Sequence, residues 1–169
     1  MVGSGILGGE PMSLDVSDWV FPAGSFTTPG RVFVGAHHGA GTTMWASLLE
    51  EHDGGLVVPE EGEVIGVCRS TPAGISAAKT LIGQHGPRRF SAFLVVADAP
   101  GRTPERVRRD VKVLAGAVTV IQVPWMPVLR GAQVGDPLKP GASKGIARIR
   151  TQLSASPARV KQSPLTQEK

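Results

Sequence analysis

Along this chain, short runs of continuous apolar residues alternate with stretches in which apolar positions recur every three or four residues. Residues 31–35 read as a strand running into a glycine-rich turn, and 42–51 as a helix with Met44, Trp45, Leu48 and Leu49 on one side. The run 64–68 is the next strand. Thr71 and Pro72 then have the form of a helix cap and first helical position, with Ile75, Ala78 and Ile82 facing inward and Gly83 and Gly86 as stop signals. Residues 93–97 are apolar without interruption, as in a strand covered on both faces. Thr103-Pro104 repeats the cap-and-proline start ahead of Val107, Val111 and Leu114. A fourth apolar run covers 118–123. The last periodic stretch, 143–153, sets Ile146, Ile149 and Leu153 on one side and Lys144, Arg148 and Arg150 mostly on others.

Strands separated by helices predict a parallel sheet, because a parallel pair needs a crossover long enough to hold a helix. The expected fold is therefore α/β: a three-layer, P-loop-like (Rossmann-like) sandwich around a small, mostly parallel sheet of about four strands. The connection 52–63 between the first helix and the second strand is rich in turn residues, and Leu56-Val57-Val58 could make at most a stub of strand. Ligands in such sheets gather at the carboxyl ends of the strands. Four segments reach that edge: 35–43, 69–71, 98–103 and 124–129.

The domain is expected over 31–153. Residues 1–30 mix Gly, Ser, Thr and Pro around one apolar cluster, Trp19-Val20-Phe21-Pro22, and read as an arm whose Trp19 and Phe21 dock on the core or on a partner. Residues 154–169, polar and broken by prolines, read as a disordered basic tail.

Composition adds limits. The 169 residues are 41% hydrophobic and 19% charged, which suits one domain with a buried core. No apolar run approaches the roughly 18 residues that span a bilayer. Residues 1–15 have neither the basic flank nor the apolar length of a secretion signal, so a cytoplasmic bacterial protein is expected. Cys68, the only cysteine, cannot form an intrachain disulfide, and its apolar neighbours make it a buried small hydrophobe. The net charge of +4 is uneven: over 130–169 eight Lys or Arg face two acids, Asp136 and Glu168, so this segment carries +6 and the remainder −2. Such a basic third suits weak contact with DNA or an anionic surface, or is a solvated tail.

Candidate chemistry concentrates in the turn after the first strand. Gly35-Ala36-His37-His38-Gly39-Ala40-Gly41-Thr42-Thr43 has the layout of a phosphate-binding loop, in which glycines let backbone N–H groups wrap a phosphate, a lysine reaches the outer phosphates and a hydroxyl residue holds magnesium. Gly41 and Thr43 match the last glycine and the hydroxyl residue, which makes Thr43 the candidate metal ligand. Thr42 stands where the lysine belongs. His37, His38, Gly39, Ala40, Gly41, Thr42 and Thr43 are the candidate phosphate contacts, joined at the same sheet edge by Asp98, Arg102, Pro124 and Trp125.

A missing charge-assisted contact to phosphate is worth roughly 1.5–3 kcal/mol, a nucleotide about 10- to 150-fold weaker. Hydrolysis suffers more, since phosphoryl transfer depends almost wholly on positioning and charge stabilisation. Other chemistries fit poorly. Adjacent His37 and His38 lack the spacing at which helical histidines share a metal, Ser70, His85 and Asp98 come without a nucleophile elbow, and a chain without tyrosine offers little stacking platform for nucleic acid.

The loop AHHGAGTTM resembles the glycine-rich loop of the ParA/MinD group of ATPases, which runs close to KGGxGKTT. VPWMPVLRGAQVGDPL, residues 123–138, is similar to that group's late segment, whose proline-aromatic turn helps hold the adenine. VIGVCRSTPAGISAAKTLI and FSAFLVVADAPGR resemble the elements between these two points, so 31–138 can be laid on the group. The chain also looks like an uncharacterised set of bacterial proteins with a degenerate glycine-rich loop, carried near mobile-element genes. The resemblance implies ATP or GTP with magnesium as ligand, bound weakly. It also places His37 where the group carries a signature lysine that reaches a partner's nucleotide.

Two strands of the group, which supply its metal-binding and water-activating carboxylates, have no counterpart beyond the connection 52–63. Asp98 then has three readings: a metal carboxylate, a substitute for the group's base-reading asparagine that suits the donors of guanine, or part of a strand-end turn with Ala99, Pro100 and Gly101. His37 or His38 either meets phosphate in its charged form or belongs to an ordinary loop. The expected function is a non-hydrolysing ParA/MinD-like accessory or binding protein, with no catalytic residue and an unknown protein partner, in mobile-element or plasmid maintenance. A weak NTPase or switch completed by a partner is the alternative from the enzyme class. A scaffold that binds no nucleotide is the third.

Overall fold

A computed structural model describes residues 30–137 and 140–156. Five strands, β1 (Arg31–Gly35), β2 (His52–Asp53), β3 (Glu63–Arg69), β4 (Phe90–Val96) and β5 (Val120–Val123), form one sheet. Their order is β2-β1-β3-β4-β5, and every pair is parallel. Helices α1 (Thr42–Leu49), α2 (Pro72–His85), α3 (Glu105–Ala117) and α4 (Pro140–Ala155) cover both faces, a three-layer α/β sandwich.

Alternation along the strands builds two cores. Phe33, Ile65, Val67, Leu94, Ile121 and Val123 face α1 and α4, meeting Trp45, Leu49, Ile146, Ile149 and Leu153. Val34, Val64, Cys68 and Val95 face α2 and α3, meeting Ile75, Ile82, Val107, Val111 and Leu114. Phe90 and Phe93 both join this second core although they are three residues apart. A register shift between Val64 and Ile65, which pair with Phe90 and Ala92, turns the two rings to one side, 5.0 Å between centroids. Gly66, opposite Phe93 in the ladder, leaves the room: a Cβ there would overlap the Phe93 ring.

Several local expectations need correction. The sheet has five strands rather than about four, because His52–Asp53 adds a two-residue strand beside β1; Leu56-Val57-Val58, which could have made at most a stub, is loop. Thr71 does cap α2, its hydroxyl accepting the Gly74 N–H at 3.0 Å with Pro72 first in the helix. Thr103 does not repeat this for α3: the cap position falls on Pro104 and no side chain caps it. Gly83 lies inside α2, which closes at Gly86. In α1 it is Trp45, Ala46 and Leu49 that are buried, while Met44 and Leu48 are half-buried. The last helix runs past the expected 153 to Ala155 because Leu153 and the residues before it pack on the sheet. Residues 1–29, with Trp19 and Phe21, and 157–169 of the expected tail lie outside the described residues.

The shortened connection is held by one arginine. After β2 the chain continues beside β1, with Gly54 N–H donating to Phe33 O at 2.8 Å and Gly35 N–H to Gly55 O at 2.7 Å. It then returns to β3 across the α2 side, where Val58 packs on the second core. Arg89, in the 3-10 turn before β4, donates to the carbonyls of Pro59, Glu61 and Gly62 at 2.5–3.1 Å. Burial lowers its proton affinity, and the three carbonyls take up the guanidinium's donors. No helix of the described residues is long and apolar enough to cross a membrane.

Candidate functional site

From β1 the chain turns through α1 to β2 on one side of the sheet, and from β3 through α2 to β4 on the other. The loops leaving β1 and β3 therefore diverge and open a crevice at the strands' carboxyl ends. The glycine-rich segment is the first of these loops. Its start is tied to β3 by Ala36 N–H donating to Val67 O at 2.8 Å, and it folds on itself through Ala40 N–H to His37 O at 3.2 Å. Gly41 caps α1 at φ +90°, a left-handed conformation that strains any residue with a side chain, and supplies no side-chain cap. The first α1 amide bonded to this loop is that of Trp45, which donates to Gly41 O at 3.0 Å.

The expected phosphate contacts do not all point one way. Thr42 is buried, and its Oγ1 lies 2.5 Å from where a Cβ on Gly35 would sit. The residue in the lysine position thus faces back onto β1. Ala40 is buried in the first core, while His38, Gly39 and Thr43 are exposed. His37 turns into the seam with β3: its Nε2 accepts the Arg69 N–H at 3.2 Å and its Nδ1 stands 2.9 Å from His38 O. These two contacts tie the ring to both β3 and the loop and hold the loop's shape.

Asp98, for which three readings stood open, is tied to the end of β3. The Asp98 N–H donates to Ser70 Oγ at 3.1 Å, and its Oδ1 accepts from Arg69 Nη1 at 3.3 Å. Arg69 also donates from Nε to Gly39 O at 2.9 Å. A cation thus does reach the glycine loop, from the end of β3 instead of from the loop itself. Sequence reasoning placed segment 69–71 at this edge but gave Arg69 no role. The signal available was an arginine directly following the apolar run 64–68.

Between the loop and the segment after β5 lies a cleft of about 260 Å3. One wall is Ala40, Gly41, Met44 and Trp45; the other is Pro124, Trp125, Met126 and Leu129. Val96 and Ala97 form its floor, and among the described residues Arg69 and Arg130 are its only charged lining. The structure therefore brings Ala40, Gly41, Pro124 and Trp125 together, although Gly41 and Pro124 lie 83 positions apart. Thr43, Asp98 and Arg102 do not line the cleft; Arg102 is exposed on the loop after β4. A larger hollow of about 490 Å3 lies beyond Met44 and Leu129, along α1 and segment 127–137, and touches no residue of the glycine loop.

The donor set does not suit magnesium, which needs near-ideal octahedral oxygen ligation. Among the described residues no carboxylate lines the cleft, Thr43 is exposed, and Asp98 is engaged with Arg69. Among the described residues no three His, Cys, Asp or Glu come together as a metal-holding group. Cys68 faces the opposite core, where burial pushes its thiol up to about 12, and it has no nucleophilic character there. The basic residues of α4, Lys144, Arg148 and Arg150, are exposed; Arg150 lies 3.6 Å from Glu50.

No protein-family model, curated protein or solved structure matches this chain.

Proposed function

We propose that this cleft binds a nucleotide and that the chain is a ParA/MinD-like binding protein that does not hydrolyse it. The observation that carries the reading is the meeting, in one cleft, of the two segments that resemble that group: the glycine-rich loop and the Pro124-Trp125-Met126 turn. At about 260 Å3 the cleft falls just under the usual 300–1,000 Å3 of small-molecule sites. A base would lie against Met44 and Trp125, with phosphates toward the loop and the guanidinium groups. The ion pair of Arg69 with Asp98 is exposed, 40% and 45% at the two side chains, and such pairs contribute roughly 0–1 kcal/mol. A phosphate contact worth roughly 1.5–3 kcal/mol would outweigh it.

Hydrolysis lacks support because no described residue stands ready to hold the metal or orient water at the cleft, and the inward Thr42 leaves the loop without its own cation. Thr42→Lys is a poor restoration, since the longer side chain would have to leave the packed junction with Gly35.

Thermal unfolding with ATP, GTP and AMP, each with and without magnesium, tests the reading. Ligand at 100 times its dissociation constant stabilises by about 2.7 kcal/mol, an upward shift on the order of 10 °C for a domain of this size. Phosphate release should stay at background. A melting point unmoved by millimolar nucleotide would favour the scaffold reading, and magnesium-dependent turnover would favour the partner-completed switch.

A further inference from the structure

We infer that Arg69 is the ligand-binding cation of this site and that Asp98 holds it in reserve, competing with an anionic phosphate group for the guanidinium. This deepens the nucleotide reading and rests on it. The backbone of Arg69 is rigidly placed: the residue ends the central strand β3, pairs with Val96 of β4, and donates its N–H to His37 Nε2 at 3.2 Å. Its tip is lightly held. Of the five guanidinium donors, Nε bonds Gly39 O at 2.9 Å and Nη1 meets Asp98 at 3.3 Å. Arg69 lines the cleft and Asp98 does not, so a ligand in the cleft meets the guanidinium while the carboxylate stays behind it. Asp98 is anchored separately by its N–H to Ser70 Oγ, so releasing Arg69 leaves the β4 loop in place. The ligand class is a compact phosphate ester or free phosphate, and the test separates the two.

Calorimetric titrations with inorganic pyrophosphate, AMP and ATP would compare the native chain with Arg69→Gln, Asp98→Asn and the double variant. Arg69→Gln should weaken ATP by at least about 10-fold, the loss expected for one charge-assisted contact. Asp98→Asn should tighten it by about 2- to 5-fold, the worth of an exposed ion pair. In the Arg69→Gln background the Asp98→Asn gain should vanish, because the competition acts through the guanidinium. Arg69→Lys, which keeps the charge, should retain part of the binding and serves if Arg69→Gln does not fold. Stronger binding of AMP and ATP than of pyrophosphate would identify the nucleotide as the source of the phosphate; the reverse order would identify a free-phosphate site. A gain that persists in the double variant, or unchanged ATP binding in Arg69→Gln, would overturn the assignment while leaving the nucleotide reading intact. Absence of binding by all three probes to both the native and Asp98→Asn proteins would overturn both.

Discussion

Arg69 and Arg89 work at opposite edges of one sheet, and the difference between them separates holding the fold from serving a site. Arg89, ahead of β4 at the amino edge, directs its donors to three backbone carbonyls of the connection 59–62. That connection has no regular structure of its own between β2 and β3, and the guanidinium fixes its course. Arg69, at the carboxyl end of β3, meets one carbonyl and one exposed carboxylate and faces a cleft. The same side chain thus makes four backbone hydrogen bonds where the connection needs closing and only one to a carbonyl where it faces the cleft. Planar guanidinium groups suit both tasks because their donors are fixed in a fork.

Substituting each arginine breaks the contrast if it is wrong. Arg89→Ala should lose about 2–3 kcal/mol, read as a lower urea midpoint, because it strips charge-assisted bonds from three carbonyls at once, that of Pro59 partly buried. Hydrogen exchange should quicken over 59–62 at the same time. Arg69→Gln should change stability by less than about 0.5 kcal/mol in the same urea experiment, since its contacts are exposed. Equal losses from the two variants would erase the distinction between them.

The ion pair of Lys79 with Asp110 joins α2 to α3 away from both edges and gives the smallest effect. Its Nζ to Oδ1 bond of 2.5 Å, together with the nearby charge of Lys79, holds the Asp110 carboxyl below its ordinary value. A depressed carboxylate stabilises the fold above its unfolded value and loses that contribution as acid protonates the folded form. Stability should therefore decline from about pH 4 downward, and Asp110→Asn should remove that part of the slope in acid titrations monitored by circular dichroism. An unchanged slope would show that other carboxylates dominate.

Much of the fold was legible in the chain. Phe33, Val64, Leu94 and Ile121 fall in apolar runs too short for helices and bounded by turn residues, and burial on both faces of a parallel sheet demands that pattern. The facing positions of α2, α3 and α4 could be read from their period for the same reason. Less legible was β2, whose His52 and Asp53 are exposed and carry no apolar signal; backbone pairing to Val32 and Phe33 alone makes it a strand. Thr103 illustrates a cap signal without a cap, since the identical dipeptide at Thr71 succeeds only where the hydroxyl meets the Gly74 amide.

The site divides in the same way. Local sequence determined the glycine-rich turn, because only glycines enter left-handed backbone at Gly39 and Gly41 without strain, and it determined that no lysine stands at Thr42. It also marked the proline-aromatic turn at Pro124 and Trp125. Tertiary structure alone decided that these two turns face each other, that His37 bonds Arg69's backbone, and that the Arg69 guanidinium reaches the Gly39 carbonyl. The physical reason is separation along the chain. Backbone strain and apolar period act over a few residues, whereas a guanidinium from β3 meets a carbonyl thirty positions earlier only after strand order and register have been set.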